Sequence, residues 1–397
     1  MINTSLFNEK NTITPKQNPN AGDDYWIMGV DLGFGGVKGY SQNCVFNYPN
    51  YARIINFDNY IGTPPDNHFF YREPNGTIWA IGENAQSLIS TAEAGDSMEV
   101  ICGRNRYYNK MFRALSEMAL GIGLSTNQFG SPNGKTIVFQ TGLPPKYIKE
   151  DAKLLRDALS GHHEFDIKIG AQNWRHFDFE LLPENIRIIA QPMGSYYSAI
   201  FDKDGHVCAD GRDIYNGNVQ VWDGGFKTFD TYTIKNRSAQ DIGNSYDDLG
   251  MKRILEKTSE DIFKKYGCDY AVFELQPLLS EGYFTNITYV KDEDGRRHSK
   301  AEDISFADIL EKNARSVCMD MLEKQNETTG GYKGLSHIIL GGGTCAAWKN
   351  IITEEFAGRK IKIILSNRND TSLPTLYSNA RGYYFYLLKK LRQVCKG

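Results

Sequence analysis

Trp26-Ile-Met-Gly-Val-Asp31-Leu-Gly-Phe-Gly-Gly-Val-Lys38 is the stretch on which the reading of this sequence turns. A short apolar run, Trp26 to Val30, ends in Asp31 and passes at once into glycines. That brevity, with the glycines behind it, predicts a buried strand. The strand delivers the Asp31 carboxylate to its C-terminal end. Gly33, Gly35 and Gly36, with Phe34 between them, let the backbone bend tightly and turn N–H groups onto a phosphate. Lys38 can neutralise phosphate charge, and Asp31 can hold Mg²⁺ through water. Taken alone, a Gly-rich hairpin with a surface lysine fits these residues as well.

The same device occurs again in Val219-Gln-Val-Trp-Asp223-Gly-Gly-Phe-Lys-Thr-Phe-Asp230. Here Asp223 is a second carboxylate for Mg²⁺, and Gly224, Gly225, Phe226 and Lys227 form a second phosphate loop. A simple β-turn is the bland alternative. A third stretch, Ile338-Ile-Leu-Gly-Gly-Gly-Thr344, runs a strand into Gly341, Gly342 and Gly343 and then toward a helix. Backbone without side chains can pack against a flat base or ribose, and a helix start favours an anion. Each motif alone is common. Together, in this order, two Asp-Gly loops from different halves can grip phosphates from both sides while the third loop holds the nucleoside.

This order and spacing resemble the actin–Hsp70–sugar kinase superfamily. Asp31 with Lys38 looks like its first phosphate motif, Asp223-Gly-Gly with Asp230 its second, and Gly341 to Gly343 its adenosine motif. Phe226 departs from the Gly or Ser often found there. Ile188-Ile-Ala-Gln191-Pro-Met-Gly-Ser-Tyr-Tyr197 is similar to the first connecting segment of actin-like proteins, where a Gln or Glu positions the attacking water. Gln191 matches that place; a neutral amide orients rather than abstracts a proton. Thr141-Gly-Leu-Pro-Pro-Lys-Tyr147 and Ser378-Asn-Ala-Arg-Gly382 resemble segments of the bacterial plasmid-segregation actins (the ParM/StbA group). The resemblance spans about residues 26 to 390.

The resemblance implies an α/β, actin-like (ribonuclease H-like) two-domain fold with a nucleotide cleft between the halves. Residues 1–24 are expected to be a disordered lead-in. Domain I would take 25–190 and 366–397, with an inserted subdomain at about 41–110. Domain II would take 191–365, with an insertion at about 240–305. The implied activity is Mg-dependent hydrolysis of ATP or GTP coupled to polymerisation. Asp31 and Asp223 would serve the metal, and Gly250 and Arg315 would touch ribose or base. The implied partners are further copies of the chain, stacked head to tail in a polar filament, and an adaptor protein bound to centromere-like plasmid DNA. Direct DNA binding is not expected. Three alternatives are weaker. A small-molecule kinase needs a catalytic carboxylate, for which Asp241 and Asp247 are candidates, but no sugar-binding pattern accompanies them. A chaperone-like ATPase would carry a peptide-binding domain. A nucleotide-binding scaffold would lack turnover.

Bulk properties agree. At roughly 100–200 residues per domain, 397 residues predict about two domains. Hydrophobic residues make up 41% and charged residues 23%, and the net charge of −3 leaves no basic stripe for a polyanion. The cysteines, at 44, 102, 208, 268, 318, 345 and 395, form no C-x-x-C and read as reduced buried thiols. His162 and His163 read as surface residues. No signal peptide opens the chain, and no run of about 18 apolar residues could span a membrane. A cytoplasmic protein without a membrane partner is expected.

Elsewhere, short apolar or alternating runs predict strands at 77–81, 136–140, 165–169, 177–181, 185–190, 230–234 and 283–290. Helical spacing predicts helices at 109–120, 148–159, 192–200, 251–263, 310–321 and 380–394. Residues 40–60 show little periodicity, 141–145 read as a turn, and 291–303 read as a solvated loop.

Overall fold

The computed structural model describes residues 9–89, 103–291, 293–294 and 296–394. Residues 1–8 of the expected lead-in, part of the expected insertion at 41–110, and Cys102 and Cys395 lie outside the described residues.

Two sheets carry the halves. In the first, the strands run in the order Thr12–Pro15, Cys44–Pro49, Gly36–Ser41, Tyr25–Leu32, Thr136–Leu143, Ile186–Ala190. In the second the order is Ser238–Tyr246, Phe229–Lys235, Val219–Gly224, His337–Gly341, Lys362–Leu365. The two share one plan. Tyr25–Leu32 pairs antiparallel with the strand that follows it and parallel with Thr136–Leu143, which pairs parallel with Ile186–Ala190. Val219–Gly224 does the same with Phe229–Lys235 and His337–Gly341, and the latter with Lys362–Leu365. The device suspected twice in the sequence is therefore also one topology used twice. Both acid-bearing strands are central and covered on both faces, which is why they read as continuous apolar runs.

Two helices join the halves. Pro192–Ile200 and Ser378–Val394 pack on each other, and around them an apolar cluster draws Ile27, Val45 and Val138 from one sheet and Val219, Val221 and Ile339 from the other. Glycines set the closeness of this junction. A Cβ on Gly382 would fall 1.8 Å from the Gly194 carbonyl oxygen, and one on Gly29 would fall 2.4 Å from the Ala380 carbonyl. Arg381, fully buried, donates to the Ser198 and Phe201 carbonyls at 2.8 and 3.1 Å and so ties one helix to the end of the other.

Several expectations need correction. Within the lead-in, Thr12–Pro15 forms an edge strand on Cys44–Pro49. Its polar sequence hides it because the pairing is by backbone and the asparagines serve as hydrogen-bonders. Asn11 donates to the Asn67 and Ile81 carbonyls, and Asn18 to that of Ser41. Within 40–60, Cys44–Pro49 is a strand buried on both faces and so shows no alternation. Residues 141–143 extend the strand from Thr136 rather than turning. In the supposed loop at 291–303, Arg297–Ser305 pairs with Tyr283–Lys291 in a hairpin solvated on both sides, so charge gives no periodic signal. The segment read as an insertion at 41–110 divides: Ala52–Ile55, Phe69–Arg72 and Ile78–Ile81 join Gly161–Ile169 and Arg175–Leu181 in one five-stranded sheet. His162 is exposed, but His163 is buried, its ring bonded to Glu117 at 2.9 Å and to the Leu159 carbonyl at 3.1 Å. Of the cysteines, 44, 318 and 345 are buried free thiols, while 208 and 268 are half-buried. Among the described residues no helix is long and apolar enough to cross a membrane.

The glycine crossing gives a direct test. Gly382→Ala should destabilise the protein by about 1–3 kcal/mol, because the added methyl has only backbone to displace. Urea denaturation measures this, and an unchanged midpoint would contradict the close crossing.

Candidate functional site

The ends of the two central strands meet across a cleft of about 700 Å³, counted out to its open mouth. Asp31, Gly33, Phe34, Gly35 and Lys38 line it from the first half, and Asp223, Gly224, Gly225 and Phe226 from the second. Gln191, Gly342, Gly343 and Thr344 complete the wall. The duplication extends to register. Asp31 stands opposite Lys38 across its hairpin, and Asp223 stands opposite Asp230 across the equivalent one. One hairpin therefore pairs an acid with a base, the other an acid with an acid.

The loops touch. A Cβ on Gly35 would come 2.6 Å from Cβ of Phe226, so the first loop passes the second only because that side chain is missing. Thr344 donates to the Gly225 carbonyl at 3.0 Å and fastens the third loop to the second. Gly342 adopts φ +71°, and a side chain there would strike the Gly224 carbonyl. Phe34 lies between cations, with the Arg106 guanidinium 4.6 Å and the Lys227 ammonium 5.0 Å from its ring centre. Farther out, Phe273 packs with Tyr51, Ala80 and Ala85, and Gln86 donates to the Phe273 carbonyl at 3.2 Å. The halves therefore meet on both sides of the cleft's inner wall.

Electrostatics is the dominant feature. Asp31 is 6% exposed and Asp223 2%. Asn379, at the start of the joining helix Ser378–Val394, donates its amide to Asp223 Oδ2 at 2.7 Å. Ser195 donates to Asn379 Oδ1 at 2.8 Å, which fixes the amide's orientation. The same amide favours the ionised form of Asp31. Burial raises Asp31 above the usual carboxylate range, against the pull of Lys38. Burial pushes Asp223 up to about 7; Asn379 opposes the shift and the neighbouring Asp31 adds to it. Burial likewise pushes Asp230 up to about 8. Its Oδ2 accepts from Thr228 at 2.9 Å, but its Oδ1 is buried without a partner. Lys38, 6% exposed, pairs with Glu9 and donates to the Gly36 carbonyl at 3.1 Å.

These observations bear on a metal. Among the described residues no group of three or more carboxylate, imidazole or thiol side chains is gathered as a metal cage. Two buried carboxylates whose nearest ammonium is already paired do leave negative charge that a cation would relieve. Mg²⁺ suits such a site, since it commonly takes one or two carboxylates together with phosphate oxygens and water. Asp31 and Asp223 fit it.

Other expected residues fall less centrally. Gly36 is not among the described residues that line the cleft directly, but a Cβ there would fall 1.5 Å from the cleft-lining Glu9 Oε2. Gly341 ends its strand next to Asp223, with its Cβ position 3.3 Å from Asp223 Oδ1. Lys227 reaches Phe34 rather than the wall. Gly250 supports the second loop from below, its Cβ position 2.5 Å from the Phe226 carbonyl. Arg315 lies on the helix Ala307–Thr329, more than half exposed and 3.9 Å from Glu354. It is not among the described residues lining the cleft. Gln191 caps the joining helix Pro192–Ile200 at the cleft wall, its N–H bonded to the Leu143 carbonyl at 2.8 Å and its own carbonyl accepting from Tyr383 at 3.3 Å. Sequence reasoning assigned no role to Asn379, Ser195, Thr228 or Glu9. Asn379, Ser195 and Thr228 sit inside the motifs given above, and for the first two, polarity at a helix junction was the available signal. Nothing near Glu9 in sequence pointed to it.

Residues 29–194 match the family model for the N-terminal domain of actin-like proteins. A comparison with curated proteins finds no sequence match. Among solved structures, a non-polymerisable quadruple mutant of pCBH ParM aligns with a TM-score of 0.68 at 20% identity, covering 92% of this chain and 100% of that one. The Alp12 filament structure aligns with a TM-score of 0.56 at 15% identity, covering 93% of this chain and 99% of that one. Bacillus thuringiensis ParM with ATP aligns with a TM-score of 0.56 at 14% identity, covering 93% of this chain and 100% of that one. At these identities the structures show the fold, which is actin-like and two-domain, as the motifs implied.

The buried acids give a pH prediction for the metal-free protein. Asp223 and Asp230 keep their protons in the fold well above the range of an unfolded chain, so between about pH 4 and the values near 7 and 8 the folded state binds more protons. Stability should therefore be full at the acid end of that window and fall as pH rises through 7 to 8. Thermal melting from pH 5.5 to 8.5 measures it. Asp230→Asn should flatten the upper part of the decline, and a melting temperature that rises across this range would contradict the assignment.

Proposed function

We propose that this actin-like chain binds one Mg²⁺–nucleoside triphosphate in the cleft between its halves, hydrolyses it, and couples that cycle to filament assembly. The observation that carries the reading is the meeting of Asp31 and Asp223. They end equivalent strands of two sheets, line one cleft and share the amide of Asn379. Bound Mg²⁺ would offset phosphate charge between them. The glycine loops at 33–36 and 224–225 present backbone where phosphate oxygens need donors, and Lys38 supplies the one ammonium on the first hairpin. Gly342 and Gly343 leave a flat, side-chain-free wall for the nucleoside.

Gln191 is well placed to orient water. Gln191 lines the cleft, and its backbone N–H and carbonyl are both hydrogen-bonded, so the joining helix fixes the position from which its amide would act. An amide donates and accepts without taking a proton, which suits positioning and not base catalysis. Because that helix also packs on Ser378–Val394, a change at the phosphates bears on the junction of the halves. Nucleotide would favour the closed form, whose two ends stack head to tail; such heterologous contacts do not close on themselves and give filaments. Hydrolysis would weaken the closed form. The likeness in fold to pCBH ParM, Alp12 and Bacillus thuringiensis ParM supports assembly and ATP use. Segregation of plasmid DNA through an adaptor protein is the corresponding biological role, and the net charge of −3 agrees with indirect contact to DNA.

Two variants separate the parts. Asp223→Ala should weaken Mg²⁺-nucleotide binding by about 100-fold, of the order expected when one partner of a buried charged contact is removed, and should abolish nucleotide-dependent sedimentation. Gln191→Ala should slow phosphate release by about tenfold or more while light scattering still reports assembly, giving longer-lived filaments. Phosphate release at the normal rate would remove Gln191 from its role.

A further inference from the structure

We propose that Glu9 is a built-in phosphate mimic: its carboxylate occupies the phosphate place on Lys38 and Gly36, so that nucleotide binding requires the N-terminal arm to withdraw. This rests on the reading of the cleft as a nucleotide site. Glu9 lines that cleft together with Asp31, Gln191 and Asp223. Its Oε1 pairs with the Lys38 ammonium, and the two side chains are only 14% and 8% exposed. Its Oε2 lies flat on the glycine loop, since a Cβ on Gly36 would fall 1.5 Å from it. An anion on the one ammonium of the first hairpin, pressed against side-chain-free backbone, is the arrangement a phosphate oxygen would adopt.

The arm is held for this purpose just beyond the carboxylate. The Asn11 N–H donates to the Glu83 carboxylate at 2.6 Å, and its side-chain amide donates to the Asn67 and Ile81 carbonyls. Thr12–Pro15 is then fixed on the sheet edge. Only Lys10 separates this anchor from the cleft-lining Glu9, so the carboxylate can swing out without loss of the strand. The seat is also incomplete. Oε2 is buried with no hydrogen-bond partner, a cost that favours release once a better anion arrives. A carboxylate and a phosphate compete for the buried Lys38 ammonium in a cleft already lined by Asp31 and Asp223. Binding therefore competes with the arm, and the apparent affinity is reduced by the fraction of molecules in the withdrawn state.

The test is equilibrium titration of the full chain, Glu9→Gln and a chain lacking residues 1–10 with fluorescent, non-hydrolysable ATP and GTP analogues plus Mg²⁺, below the concentration for assembly. The truncation keeps Asn11 and the edge strand, and it stands in should Glu9→Gln fail to fold. Both variants should bind about tenfold tighter than the full chain, as expected where the arm is seated in about nine molecules of ten. Equal or weaker binding by the variants overturns the proposal and leaves the nucleotide site intact. Absence of binding in all three chains overturns the nucleotide reading and the proposal with it.

Discussion

The structure is arranged around two almost fully buried carboxylates at the wall of one cleft. Asp31 and Asp223 end the central strands of two separate sheets, and the fold brings both ends to one cleft. Like charges in such a place raise each other's hold on a proton, and burial does so more strongly still. The Asn379 amide eases this from the protein side, oriented by Ser195. A cation and phosphates, which bring their own charge and ligands, would complete the compensation. The site is therefore least comfortable when empty of charge partners, and the two halves have an electrostatic reason to close on one.

The mechanical counterpart is the junction beneath the cleft. Pro192–Ile200 and Ser378–Val394 cross at Gly194 and Gly382 with backbone against backbone, and their shared apolar cluster draws on both sheets. Gln191 opens the first of these helices and Asn379 lies at the start of the second. On the proposed reading, the residues that would meet the phosphates therefore stand at the starts of the elements that join the halves.

Much of this was legible in the sequence, and the reasons are physical. A strand buried on both faces is a short apolar run, and a loop that must pass another backbone closely is glycine, so the two Asp-Gly devices and the triple glycine stood out. Helices with one apolar face, such as Ile148–Leu159 and Met251–Tyr266, were equally plain. What stayed hidden carried no periodic signal. The edge strand Thr12–Pro15 is polar because its role is backbone pairing, Cys44–Pro49 is buried on both sides, and Arg297–Ser305 is bare on both sides. His163 was misread because its partner, Glu117, is far away in sequence, on the helix Lys110–Gly123 that packs against the sheet of His163. Asn379 and Glu9 act through single contacts made only when distant segments meet, and no local pattern announces such a contact.

The most direct test is a crystal structure of the chain with a non-hydrolysable triphosphate analogue and Mg²⁺. The account requires the triphosphate between the loops at 33–36 and 224–225, with the metal on the side of Asp31 and Asp223 and the nucleoside against Gly342 and Gly343. A nucleotide bound elsewhere, or one held by a single half with the other aspartate turned to solvent, would contradict it.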